Sequence, residues 1–160
     1  MMDAAAKRKL LRHIPCGLYV VGVKSGDELH GFTGSWVSQI SMDPPCIVIG
    51  VRTDSKSFEM IKSGKVLTVN YIRKENKATL EHFFKPTTRN GNRLGTFPFT
   101  TGKTGAPILE EAVGFLECEV RKVVDGFGDH AAVIAEVIEA SVKDDVAPLI
   151  MSDTPWHYGG

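Results

Sequence analysis

Asp43-Pro44-Pro45 divides two runs of opposite character, and neither a helix nor an uninterrupted strand passes through it. Before it, Gly31–Met42 carries hydroxyls and an amide (Thr33, Ser35, Ser38, Gln39 and Ser41) around one large aromatic, Trp36. After it, Cys46–Val51 is a near-continuous apolar run with β-branched residues, the pattern of a strand buried on both faces. The run before the corner has too many hydroxyls for a core element and too much β character for a free loop. A polar edge beside a buried strand suits a polar ring ligand, because hydroxyls, amides and backbone N–H groups contact it without adding charge.

The flanking segments agree with a β-rich fold. Gly17–Val23 reads as a first strand, turned by Ser25-Gly26-Asp27. Asp3–His13 is expected to be a short helix capped by Asp3 and stopped by Pro15, with Lys7, Arg8, Lys9 and Arg12 on a solvated face. A second short helix carries Phe58, Met60 and Ile61, with Asp54 or Ser55 as cap and Gly64 as its stop. Its N-terminus, with Ser55, Lys56, Ser57 and nearby Arg52, is a candidate phosphate seat, although on these residues alone an ordinary capped helix is favoured. Val66–Ile72 is a strand containing Asn70. Asn76 is expected to cap a helix with Leu80, Phe83 and Phe84 on one side.

Lys85–Ala106 reads as a long Gly- and Pro-punctuated loop. Its Phe97 and Phe99 fold back on something apolar, and it either shapes access to the site or simply packs. Phe115–Val124 alternates Leu116, Cys118 and Val120 with Glu117, Glu119 and Arg121, predicting one buried and one wet face. Gly126-Phe127-Gly128-Asp129 turns the chain into a return strand, His130–Val142.

Composition excludes several classes. In 160 residues, enough for one domain (1–160), 19 basic residues balance 19 acidic ones, so neither nucleic acid nor an anionic membrane is favoured. No apolar run is long enough to span a bilayer, and no secretory signal is evident. Cys16, Cys46 and Cys118 are widely spaced and odd in number, which argues against a disulfide framework and for a reducing, cytoplasmic setting. His13, His30, His82, His130 and His157 are scattered without metal-ligand spacing. Gly126-Phe127-Gly128-Asp129-His130-Ala131 fits a dinucleotide fingerprint, but only 29 residues follow Ala131, too few for a βαβ unit and the rest of its sheet. It is better read as a hairpin turn.

Four motifs converge on one family. GFTGSWVSQISMDPP resembles the signature of the flavin reductase-like family, the FMN-binding split barrels. The variant Ser35-Trp36-Val37-Ser38-Gln39 is similar to flavoredoxins and to the C-terminal module of diflavin flavoproteins. FLECEV, the Gly128-Asp129-His130 turn, and the tail Trp156-His157-Tyr158-Gly159 resemble further family motifs, so the likeness runs from about Ile14 to Tyr158.

This resemblance implies a mainly β fold, an antiparallel Greek-key split β-barrel with a few short helices, assembled as a homodimer. It implies FMN, less readily FAD, with NADH or NADPH as transient co-substrate and no metal. Thr33, Gly34, Ser35, Trp36, Val37, Ser38 and Gln39 would surround the flavin ring, and Arg52, Ser55, Lys56 and Ser57 would hold the phosphate. Asn70 either contacts the flavin or ties down a turn. His130, together with His157 and Tyr158, borders the face where hydride arrives; no catalytic residue is firmly assigned, His130 being the candidate. The expected activity is an NAD(P)H:flavin oxidoreductase. The alternatives are a flavoredoxin-like carrier serving a redox protein partner, or a split-barrel binder of haem, deazaflavin or pyridoxal phosphate.

Overall fold

A computed structural model describes residues 1–160. Eleven strands and three α-helices follow one another in the order α1 (Ala4–Arg12), β1 (Tyr19–Ser25), β2 (Glu28–Gly34), β3 (Val37–Met42), β4 (Pro45–Arg52), α2 (Lys56–Gly64), β5 (Val66–Tyr71), α3 (Lys77–His82), β6 (Arg89–Asn90), β7 (Arg93–Leu94), β8 (Phe97–Thr101), β9 (Pro107–Leu109), β10 (Gly114–Val124) and β11 (His130–Val142).

Seven strands form one antiparallel sheet in the order β2-β1-β5-β10-β11-β4-β3. Its two edges, β2 and β3, are consecutive in sequence and joined only by Ser35 and Trp36. Three Cα–Cα steps span at most roughly 11 Å. The sheet therefore curls until its edges nearly meet, leaving a seam with no β-ladder across it. This is the expected split barrel, and the stretch around the proline corner builds the seam.

Two apolar clusters stabilise it. One fills the barrel with Val21, Ile49, Phe58, Ile61, Leu67, Val69 and Val133 among others. The other, around Leu18, Ile72, Leu80, Phe83, Leu94, Phe99 and Leu149, lies outside it. Burial alternates along β4, with Ile47, Ile49 and Val51 buried and Cys46, Val48 and Gly50 half-buried. The run expected to be buried on both faces has a single core face, because β3 and β11 flank it and its other face looks toward the surface.

Other expectations need correcting. Gly64 does not terminate α2 through its backbone freedom: the left-handed residue is Lys65, at φ 56°. Gly64 instead packs against β1, where an added Cβ would stand 2.8 Å from the carbonyl carbon of Lys24 and nearer still to its oxygen. Asn76 precedes α3 but its side chain makes no capping bond. Lys85–Ala106 is not an irregular loop: it holds β6, β7 and β8, which with β9 just beyond form a small four-stranded sheet. Phe99 is buried and Phe97 packs against the second cluster, as expected.

Glu117 departs furthest from its predicted wet face, being 1% exposed. The loop 102–105 covers it and satisfies it: its carboxylate accepts from Lys103 N (3.1 Å), Thr104 N (2.8 Å) and Thr104 Oγ1 (2.8 Å). Gly102 allows this approach, since a Cβ there would lie 2.8 Å from Glu117 Cδ. Glu117→Gln turns one acceptor into a donor facing an N–H group. It should lower stability by about 2 kcal/mol in a denaturant titration. A loss under about 0.5 kcal/mol would mean that the loop closes without this carboxylate.

Candidate functional site

The seam opens into a cavity of about 680 Å³, within the roughly 300–1,000 Å³ of small-molecule and cofactor sites. Four segments wall it: the β2–β3 corner, the β4–α2 turn, residues 83–86 after α3, and the C-terminal tail.

At the corner, Thr33, Gly34, Ser35 and Trp36 all line the cavity. Thr33 clips β2 to α3: its N–H donates to Phe83 O (3.1 Å) and its hydroxyl to Leu80 O (2.7 Å). Ser35 is 8% exposed. Trp36 accepts from Gly50 N at 2.9 Å and lays its ring across that residue, where an added Cβ would come within 2.9 Å of Trp36 Cε3. Glycine at position 50 is what lets the indole lie flat on β4. Val37, Ser38 and Gln39, predicted to surround a ring ligand, lie beyond the cavity on β3. Ser38 and Gln39 are exposed there, with Gln39 Nε2 donating to Ser41 O at 3.1 Å.

At the turn, Arg52, Asp54, Ser55, Lys56 and Ser57 line the cavity around the N-terminus of α2. The Ser55 hydroxyl is committed to capping, accepting from Phe58 N (3.1 Å) and donating to Arg52 O (2.8 Å). The Lys56 and Ser57 N–H groups of the first turn find no acceptor within the chain and point the positive end of the helix dipole outward. Both cations here have partners. Arg52 forks onto Asp54 (2.9 and 2.7 Å) and holds that carboxyl below the usual carboxylate range, while Lys56 pairs with Glu28. Ser57, 3% exposed, meets the Nδ1 of His30 at 3.0 Å.

The tail forms the last wall. Trp156 packs edge-on against Phe84 (ring centroids 4.9 Å apart), and His157 and Tyr158 line the cavity mouth. Tyr158 packs edge-on against Trp36 (ring centroids 5.0 Å apart) and its hydroxyl lies 2.6 Å from His130 Nε2. His130 Nδ1 lies 2.7 Å from Asp129 Oδ1, an arrangement that keeps the Asp129 carboxyl below its ordinary range, and its ring sits 4.6 Å from Trp36. Burial pushes the Tyr158 phenol up. The Gly128-Asp129-His130 turn thus meets the tail, 28 residues on at Tyr158, but His130 stands behind Tyr158 and Trp36 and does not itself line the cavity.

Asn70 takes no part in the cavity. It is fully buried and spends its amide on backbone and a threonine, donating from Nδ2 to Val20 O (3.0 Å) and Thr68 Oγ1 (3.2 Å) and accepting from Leu109 N (2.8 Å). Of its two possible roles the structure favours the structural one. Residues that motif reasoning missed also line the cavity, notably His30, Phe32, Phe84 and Lys85. For His30 and Phe32 a signal existed: they alternate along β2, sharing a face as residues i and i+2.

The residues present fit a phosphorylated ring cofactor. Unfilled N–H groups and Ser57 share the cavity wall with a backbone corner carrying Ser35 and aromatic rings. No cluster of His, Cys, Asp or Glu is placed to hold a metal ion, and no helix is long and apolar enough to cross a membrane.

A family model described as flavin reductase like domain matches residues 11–158. Diflavin flavoprotein A 1 of Synechocystis is 29% identical over 135 residues, covering 84% of this chain and 23% of that protein. The chain spans about a quarter of the length of the curated relatives it matches. Among solved structures, the NADH:FAD oxidoreductase of Streptomyces globisporus is 27% identical, with a TM-score of 0.74 over 89% of this chain and 86% of that one. The flavin reductase component of a bacterial two-component tryptophan halogenase has a TM-score of 0.81 over 98% of both chains; at 23% identity it speaks for the fold alone.

Proposed function

The chain belongs to the flavin reductase-like domain family, and from that premise we propose that it binds FMN in the seam cavity and works as an NAD(P)H-dependent flavin oxidoreductase. The observation that supports this most is that the Thr33–Trp36 corner and the first turn of α2 face one cavity. The corner suits a flat polar ring and the turn an anion.

The bound flavin supplies a centre that accepts hydride from a nicotinamide and releases electrons to an acceptor. The protein's own part is to bind and orient. The Lys56 and Ser57 N–H groups and the Lys56 ammonium hold the phosphate, with the Arg52 guanidinium adding the N–H groups that Asp54 leaves free. The Ser35 hydroxyl and the backbone of Gly34–Trp36 address the polar rim of the ring. Donors at that rim favour the charge that builds up on reduction. Trp36 and Tyr158, braced by His130, close the mouth and exclude water from the face where hydride arrives. The assembly we propose is a homodimer in a reducing, cytoplasmic setting, with free flavin, oxygen, iron or a redox protein as acceptor.

The test is an FMN titration of purified protein, followed anaerobically by NADH and then NADPH. The expected result is a two-band flavin spectrum that bleaches with one nucleotide and so names the donor. A spectrum that persists with both would replace the reductase with a flavoredoxin-like carrier. A protein that binds neither FMN nor FAD would sink the flavin reading.

A further inference from the structure

His30 is the buried titratable group that this function leaves unexplained. It is 5% exposed on β2 and belongs to the cavity wall. Its Nδ1 meets the Ser57 hydroxyl at 3.0 Å, and its Nε2 is buried with no partner. A buried, half-satisfied imidazole is costly, and a merely structural position would be filled more stably by an apolar side chain. It touches the second residue of the one helix whose first turn opens into the cavity.

We propose that His30 is a proton-coupled switch for the phosphate of the ligand, taking up a proton on Nδ1 when a phosphate dianion occupies the first turn of α2. The inference rests on the flavin reading above and adds a residue that distinguishes FMN from riboflavin.

Hydrogen-bond direction supplies the mechanism. With His30 neutral and Nδ1 unprotonated, the Ser57 O–H donates to it and is not available to a ligand. With Nδ1 protonated, the N–H donates to Ser57 Oγ, and the hydroxyl proton turns outward to an anionic oxygen. The proton comes from bulk buffer and stays on Nδ1 while the anion is bound. Burial holds the empty-site imidazole below its ordinary value, Lys56 adds to this, and Glu28 opposes it. Those two are the charges bearing on it from α2 and from its own strand; Arg52, Asp54, Lys85, His157 and Tyr158 share the cavity wall. A dianion favours the imidazolium. Sign follows directly: His30 is neutral when empty and charged when filled, so FMN affinity falls as pH rises through the pKa of the filled site.

The test is calorimetry of FMN and of riboflavin at pH 7.5, in two buffers of different ionisation heat. At that pH the FMN phosphate, with a second pKa of about 6, is already almost wholly dianionic. The expected result is uptake of about one proton per FMN and none per riboflavin, with FMN affinity dropping up to tenfold per pH unit at higher pH. His30→Gln should abolish the uptake. An independent readout on the unaltered protein is the imidazole ¹⁵N spectrum of His30, which should pass from a neutral to a doubly protonated pattern when FMN is added. FMN binding without proton uptake, uptake that survives in His30→Gln, or a neutral ¹⁵N pattern in the complex would each overturn the inference and leave the flavin reading intact. If neither FMN nor riboflavin binds, the flavin reading fails and this inference falls with it.

Discussion

Asn70→Ala should cost about 4 kcal/mol of stability, lowering Tm by roughly 8–16 °C for a domain of this size. The side chain is fully buried where β1, β5 and β9 meet. Its amide ties β5 both to its ladder partner β1 and to β9, to which no ladder joins it: Nδ2 donates to Val20 O and lies within 3.4 Å of Pro107 O, while Oδ1 accepts from Leu109 N. Truncation leaves a buried N–H without an acceptor, removes the donor to Val20, and opens a void. The three losses share one site, so their costs do not simply add. Asn70→Asp separates the structural role from a ligand role. It keeps shape and volume but aims a carboxylate oxygen at the carbonyls of Val20 and Pro107, so at neutral pH it should be worse than alanine. Chemical denaturation of both variants is the measurement. A loss below 1 kcal/mol in Asn70→Ala, accompanied by weakened FMN binding, would return Asn70 to the flavin site.

Asn70 also marks how far the sequence could be read. Asn70 was legible as a polar residue in a strand with two possible roles, but a sequence does not say which way an amide points. Its partners, Val20 and Leu109, lie 50 and 39 residues away. The split barrel was legible through the family resemblance, and that resemblance could be seen because its signature is local: the hydroxyl-rich run and the proline corner are contiguous. The short sheet β6–β9 was not, because three of its four strands have only two or three residues, such as Arg89–Asn90 and Arg93–Leu94, and no room for alternation. Glu117 read as wet because strand parity cannot foresee a loop folding over it. Ser55 and Ser57 were both legible as first-turn hydroxyls, yet only the structure separates the one spent on capping from the one turned toward His30. The tail histidine and tyrosine were found through the family motif, and the meeting of Tyr158 with His130 needed the fold.

Lys56→Glu should weaken FMN binding by about 100-fold, close to 3 kcal/mol, while changing riboflavin affinity by less than about threefold. The argument is one of local charge. Arg52 and Asp54 pair off, and Lys56 is matched by Glu28, so the four charges at the empty seat sum to zero. The dianion is then held by the first-turn N–H groups and by a lysine free to swing from Glu28 to the ligand. Reversal makes the sum minus two, places a carboxylate on the first turn, and leaves Glu28 without its partner. Lys56 is half-exposed, so water and salt moderate the repulsion. The penalty should therefore shrink several-fold in 0.5 M salt, where the screening length falls to about 4 Å. Combining Glu28→Lys with Lys56→Glu restores the sum to zero with the cation moved onto β2. This pair should regain at least tenfold of the lost affinity if charge at the seat is what matters. Equal losses for FMN and riboflavin, or no recovery in the swapped pair, would place the phosphate elsewhere in the cavity.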